Sequence, residues 1–228
     1  LSLLPGDGAV MLQRDDAIEA IKEGLPTRRV EAWHYTDLRR LLNAVPDFDP
    51  SALAKAVAPI IENSVVLPVL NGVSGAKVPA IEGVTIERLS EKLIDGSVAE
   101  GLSRYGADDA IGALNTAFVA DGYFVDVAEG IALERPLELQ NVQAGGQAHV
   151  RLLARFGKDA RATVVERQTG DGAALVSSVS QLVLEDGAEV TWLIIQEQPE
   201  TATHLAQFKA YIGRNAKLTL FVMNAGGK

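Results

Sequence analysis

The stretch GLPTRRVEAWHYTDLRRLL, residues 24 to 42, gathers Arg28, Arg29, His34, Arg39 and Arg40 with Glu31, Asp37, Trp33 and Tyr35. Glu31 and His34 stand three apart, so a helix through them would bring a carboxylate and an imidazole onto one face, the pairing that general acid–base chemistry needs. A structural reading of the same residues is the stronger one. In it Arg28, Arg29 and Glu31 form local ion pairs, Trp33 and Tyr35 anchor the segment to a core, and His34 is solvated.

The rest of the chain adds no chemistry of a recognisable kind. His34, His149 and His204 are far apart and accompany no Glu-x-x-His or His-x-His pattern, so no metal site is expected. Cysteine is absent, which removes thiolate nucleophiles, disulfides and thiolate metal ligation. The terminal NAGGK lacks the glycine spacing and the Ser or Thr of a phosphate-binding loop, and no Gly-x-Ser-x-Gly elbow occurs. The residues therefore predict no catalytic, cofactor-binding or metal-binding site.

Composition narrows the class. A formal charge of −9 repels nucleic acid and anionic membranes, and no apolar run approaches the roughly 18 residues of a membrane-spanning helix. The N-terminal LSLLPGDGAVML has no basic lead and is broken by Pro5, Gly6 and Asp7, unlike a secretory signal, so a cytoplasmic protein is expected. The missing initiator Met and the ending just after an apolar run suggest an excerpt truncated at the C-terminus, with an unprotected last strand.

Two regions must position whatever function there is: a mixed α+β N-terminal region over 1–118 and an all-β region over 119–228. In the first, RDDAIEAIKEG places Ala17, Ile18, Ala20 and Ile21 near one helical face, with Asp15 or Asp16 as cap and Gly24 as terminator. Thr36 can cap DLRRLL, and SALAKAVA, IERLSEKLI and DDAIGALNTAFVADG are further helix candidates. SVVLPVLNG reads as a strand.

The second region repeats. FGKDARATVV, LEDGAEVTWL and IGRNAKLTLF begin at Phe156, Leu184 and Ile212, 28 residues apart each time, and VAEGIALERP is a looser copy with Gly130 at the turn. The fourth residue of each copy is Asp159, Gly187 or Asn215, types that accept a left-handed turn. Alternation then puts Ala162, Val190 and Leu218 on one side with Val164, Trp192 and Leu220. The other side carries Arg161, Glu189 and Lys217, then Thr163, Thr191 and Thr219. Stacked in register about 4.8 Å apart, these rows form alternating charges beside a threonine ladder, the pattern of a right-handed parallel β-helix with about 28 residues per coil. The next outward row, Val165, Leu193 and Phe221, is apolar; either another part of the molecule covers it or it is a candidate contact row for a partner.

Residues 25–42 also resemble the N-terminal signature of the SufD family of the SUF iron–sulfur cluster assembly system. The likeness runs through Leu25, Pro26, Thr27, Arg28, Arg29, Glu31, Trp33, Tyr35, Thr36, Asp37 and Leu38, and departs at His34, where Lys is common. NTAFVADGYFVDVAEGIALERPLEL resembles the entry to that family's β-helix. The resemblance implies a non-catalytic scaffold that pairs with SufB, or with a second copy of itself, and engages the ATPase SufC. It implies no cofactor on this chain, the iron–sulfur cluster being assembled by the wider complex. A carbohydrate-active β-helix enzyme and a general interaction module are the alternatives from other classes.

Overall fold

The computed structural model describes residues 4–47, 53–104, 106 and 108–227. Turn residues set its register. Gly130, Asp159, Gly187 and Asn215 have φ of 74°, 56°, 75° and 58°, the left-handed conformation that Gly, Asp and Asn tolerate best. The turns stack through main-chain bonds: the N–H of Gly130 donates to Lys158 (2.8 Å), that of Asp159 to Asp186 (3.0 Å) and that of Gly187 to Arg214 (2.9 Å). Each turn therefore fixes the next.

Strands on either side of these turns build two sheets. One holds β1 (Val65–Leu70), β2 (Val73–Ser74), β5 (Leu137–Gln143), β7 (Arg161–Gly170), β9 (Glu189–Gln196) and β11 (Lys217–Asn224) in the order β11-β9-β7-β5-β1-β2. The other holds β3 (Val84–Arg88), β4 (Asp121–Val127), β6 (Gly146–Phe156), β8 (Ala174–Leu184) and β10 (Thr203–Ile212) in the order β10-β8-β6-β4-β3. Pairing is parallel throughout except where β2 and β3 pair antiparallel with β1 and β4. The result is a β-solenoid of about four turns, with equivalent positions about 28 residues apart. β1 and β3, from before residue 119, thus extend the same two sheets.

The expected register holds. Arg161 and Lys217 both align with Glu189, and Thr163, Thr191 and Thr219 align with one another. The Arg161–Glu189 contact is 3.3 Å long and exposed, so it orients the row more than it stabilises it. Inward rows from both sheets meet in one apolar core containing Val125, Leu152, Phe156, Val164, Leu182, Val190 and Trp192. Trp192 is fully buried and meets Phe156 and Phe208 edge-on, at centroid distances of 6.5 and 5.7 Å.

Helices cover one flank. α1 (Gly8–Glu23) starts earlier than its apolar pattern suggested, because Asp7 and not Asp15 or Asp16 is its cap: the Asp7 carboxylate accepts the Val10 N–H at 2.9 Å. Gly24 ends it, with φ of 125°. α2 (Leu38–Leu41) is capped by Asp37 instead of Thr36, since the Asp37 carboxylate accepts the Arg40 N–H. α3 (Leu89–Asp95) takes only the second half of IERLSEKLI; Ile86, Glu87 and Arg88 belong to β3. α4 (Ala110–Phe118) lies across β6, β8 and β10, and its Ala113 and Ala117 pack with Ala17 of α1.

The helix expected over SALAKAVA does not form. Ser51 and Ala52 lie outside the described residues, and 53–59 have no regular structure. Main-chain groups of this segment are bonded by side chains of β5 and β7 instead. Gln140 accepts the Val57 N–H (3.0 Å) and donates to its carbonyl (2.9 Å), Glu138 accepts the Ile60 N–H (2.7 Å), and Arg167 donates to the Ala58 carbonyl (2.8 Å). Tertiary bonding here overrides the helix propensity of the alanines.

Candidate functional site

The basic segment 24–42 is an ordered chain of tight turns. N–H groups of Val30, Trp33 and Thr36 donate to carbonyls of Thr27, Val30 and Trp33, at 3.0, 2.9 and 2.9 Å, and Glu31–Trp33 form a single 3-10 turn. Trp33 is half-buried against a cluster built on Leu38, Leu114, Leu175 and Leu205. Tyr35 is 91% exposed and touches only the edge of His34, so it does not anchor the segment as expected. Arg28, Arg29 and Glu31 are exposed, and among the described residues no ion pair joins them. Replacing Trp33 with Ala is expected to cost about 2 kcal/mol, roughly half the effect of deleting a fully buried aromatic. A urea midpoint unchanged from the parent would remove Trp33 from the core.

The densest polar clusters lie elsewhere. The first sits between α4 and the outer face of β6, β8 and β10. Arg151, fully buried, donates from Nε to Asn115 Oδ1 (3.0 Å), from Nη1 to the Gly101 carbonyl (2.8 Å) and from Nη2 to Thr116 Oγ1 (3.0 Å). Burial lowers its pKa to about 10, with Asp109 opposing that effect. Asn115 in turn donates to the carbonyls of Val150 (2.9 Å) and Ser177 (3.1 Å) and to Ser177 Oγ (3.0 Å). Asp109, the α4 cap, receives Gln207 (2.7 Å) and Lys209 (3.1 Å) from β10. Buried Arg14 closes the other end of α4 by donating to the carbonyls of Thr116, Ala117 and Val119 at 3.0, 3.2 and 2.7 Å.

The second cluster is inside the solenoid. Glu166 accepts from Ser180 Oγ (2.8 Å), Trp192 Nε1 (3.2 Å) and Gln168 Nε2 (3.0 Å), and Gln168 accepts from Asn141 (2.8 Å). Burial pushes the Glu166 carboxyl above the usual range, and these hydrogen bonds only partly counter it. Beside it lies an internal cavity of about 30 Å³, bordered by Asn141, Glu166, Gln168, Ser178 and Ser180.

Two histidines flank β8. His149 meets Ser177 Oγ through Nδ1 (2.9 Å) and His204 meets Ser178 Oγ through Nε2 (2.8 Å). Their separation of 55, one short of two repeats, puts His149 on the outer face of its sheet and His204 on the inner one. Burial lowers both to about 4. A Ser–His nucleophile needs an accessible hydroxyl and a third group to orient the imidazole. Ser177 is wholly buried and shared with Asn115, and among the described residues no carboxylate bonds either histidine. No group of three or more His, Asp or Glu able to hold a metal occurs among the described residues.

Both buried clusters escaped the sequence reading. The available signal was a charged residue interrupting an apolar strand, Arg151 in HVRLLARF and Glu166 in TVVERQT. The outward row behaves in two ways: Val165 is buried, whereas Phe221 is 54% exposed. Phe221 adjoins Leu220, Val222 and Met223 on β11, and Tyr211 and Ile212 end β10; all six are exposed in the last coil described.

Residues 139–228 match the family model for the SUF system FeS cluster assembly, SufBD core domain. The match, over 90 of the 228 residues, supports a SufB/SufD-family protein. The matched region begins within β5 and takes in every later strand, so the repeat copies that begin at Phe156, Leu184 and Ile212 and the Glu166 cluster lie in it. The signature at 25–38 lies outside the matched residues and is an independent likeness. This match supports a role for the chain in iron–sulfur cluster assembly. No curated protein matches the chain. No helix of the described residues is long and apolar enough to cross a membrane.

Proposed function

We propose that the chain is a SufD-type, non-catalytic scaffold subunit of a cytoplasmic SufBCD complex, pairing with SufB and engaging the ATPase SufC. The SufBD core match over residues 139–228 carries this reading. The signature at 25–38 favours SufD over SufB. In mechanical terms the buried networks hold α4 on the solenoid. The 228 residues contain no Cys, so this segment supplies no thiolate ligand to a cluster.

Affinity purification of the N-terminally tagged protein from its own cells, followed by mass spectrometry, tests the proposal. SufB and SufC should be recovered together with it. Recovery with a separate SufD subunit would assign this chain to the SufB position. Recovery without SufC would overturn its membership of a SufBCD complex.

A further inference from the structure

The chain has thirteen arginines, and they divide sharply. Nine have partners: Arg88, Arg104, Arg155, Arg161, Arg167 and Arg214 pair with carboxylates, while Arg14, Arg135 and Arg151 donate to carbonyls. The other four are Arg28, Arg29, Arg39 and Arg40. All four are exposed, all lie in one segment of thirteen residues, and none has an ion pair or side-chain hydrogen bond among the described residues. Segment 24–42 sets four guanidiniums against Glu31 and Asp37, a net of +2, so the remaining residues carry −11 of the chain's −9. A positive island thus sits on a strongly negative molecule.

We propose that the segment from Arg28 to Arg40 is a docking surface for an acidic segment of a partner protein. Guanidinium forks with no partner among the described residues are suited to bidentate pairing with carboxylates. Successive tight turns and the half-buried Trp33 fix the backbone that displays them, which lowers the entropy lost on binding. Tyr35, 91% exposed between the two arginine pairs, supplies the aromatic surface that with arginine typifies protein-binding hot spots. A nucleic acid would present the same anionic chemistry, but its long run of phosphates would also meet the −11 of the surrounding surface. A short acidic peptide can seat on the island alone. This inference is independent of the assignment to a SufBCD complex.

The test uses the 228-residue chain and a fluorescein-labelled octaglutamate peptide, followed by fluorescence anisotropy at about 50 and 300 mM salt. Binding should weaken with salt, and a variant with Arg28, Arg29, Arg39 and Arg40 all changed to Ala should bind at least about tenfold more weakly. Its circular dichroism and thermal midpoint should match the parent, because all four residues are exposed. The control variant Arg155→Ala/Arg161→Ala/Arg214→Ala, which removes exposed but already paired arginines, should bind like the parent. Equal loss in both variants would mean a general charge effect and would overturn the proposal. Tighter binding of an oligothymidylate than of the peptide would overturn it in favour of nucleic acid.

Discussion

Replacing Trp192 with Ala is expected to destabilise the fold by about 3–5 kcal/mol, the cost of removing a fully buried aromatic and leaving its space. Two losses combine. The indole fills the centre of the solenoid between Phe156 and Phe208, and its Nε1–H is one of three donors to Glu166. Trp192→Phe separates them: it keeps most of the volume but withdraws the donor, so about 1–3 kcal/mol should remain. The repeat supplies an internal control. Leu220 occupies the equivalent position one coil later, paired with Trp192 in β11, yet it is 44% exposed. Leu220→Ala should therefore cost less than about 1 kcal/mol. Urea unfolding of the three variants decides the matter, and equal costs at 192 and 220 would mean that the core does not close around Trp192.

This contrast explains why some of the molecule was legible in the sequence and some was not. The 28-residue period could be read because each coil needs a left-handed residue at the same place, and only a few residue types meet that need cheaply. Asp159, Gly187 and Asn215 therefore mark the fold independently of any contact. The inward and outward rows followed from alternation alone. Other features depend on what arrives from far along the chain. Val57 has no regular structure and Gln140 bonds both its main-chain groups, and nothing within residues 51–58 reveals that. Arg14 is buried because the carbonyls ending α4 lie over it, about a hundred residues away in sequence, and no local pattern marks it. Asp7 caps α1 through the Val10 N–H, before the apolar pattern that pointed to Asp15 or Asp16 begins. Tyr35 shows the converse. An aromatic amid other large side chains suggested a core anchor, yet it points into solvent, and the segment's burial rests on Trp33 and Leu38. The candidate site was thus visible as a cluster of residue types, while the division between paired and unpaired arginines required the fold.

Acid should destabilise the protein before its surface carboxylates protonate, and the two buried histidines set the size of the effect. His149 and His204 titrate at about 4 in the fold, against an ordinary value of about 6.5. Between those values the unfolded chain binds protons that the native state refuses, so the stability they contribute is complete above pH 6.5 and is lost as the pH falls towards 4. From pH 7 to pH 5 each should account for a loss of about 2 kcal/mol. Glu166 acts in the opposite direction. Its raised pKa means that the native carboxyl keeps its proton where the unfolded one has ionised, so its contribution is complete below the unfolded value and is lost as the pH rises through the native one. Over pH 5 to 7 the histidines and Glu166 therefore compensate in part, and single variants should pull the profile apart. His149→Gln with His204→Gln, each able to keep a bond to its serine, should flatten the loss by about 4 kcal/mol at most. Glu166→Gln should steepen the net fall towards acid, because the counterweight is gone. Urea unfolding at pH 5 and pH 7 measures both slopes. A histidine double variant with the parent's slope would mean that the two rings are protonated in the fold and that Ser177 and Ser178 accept their protons without cost.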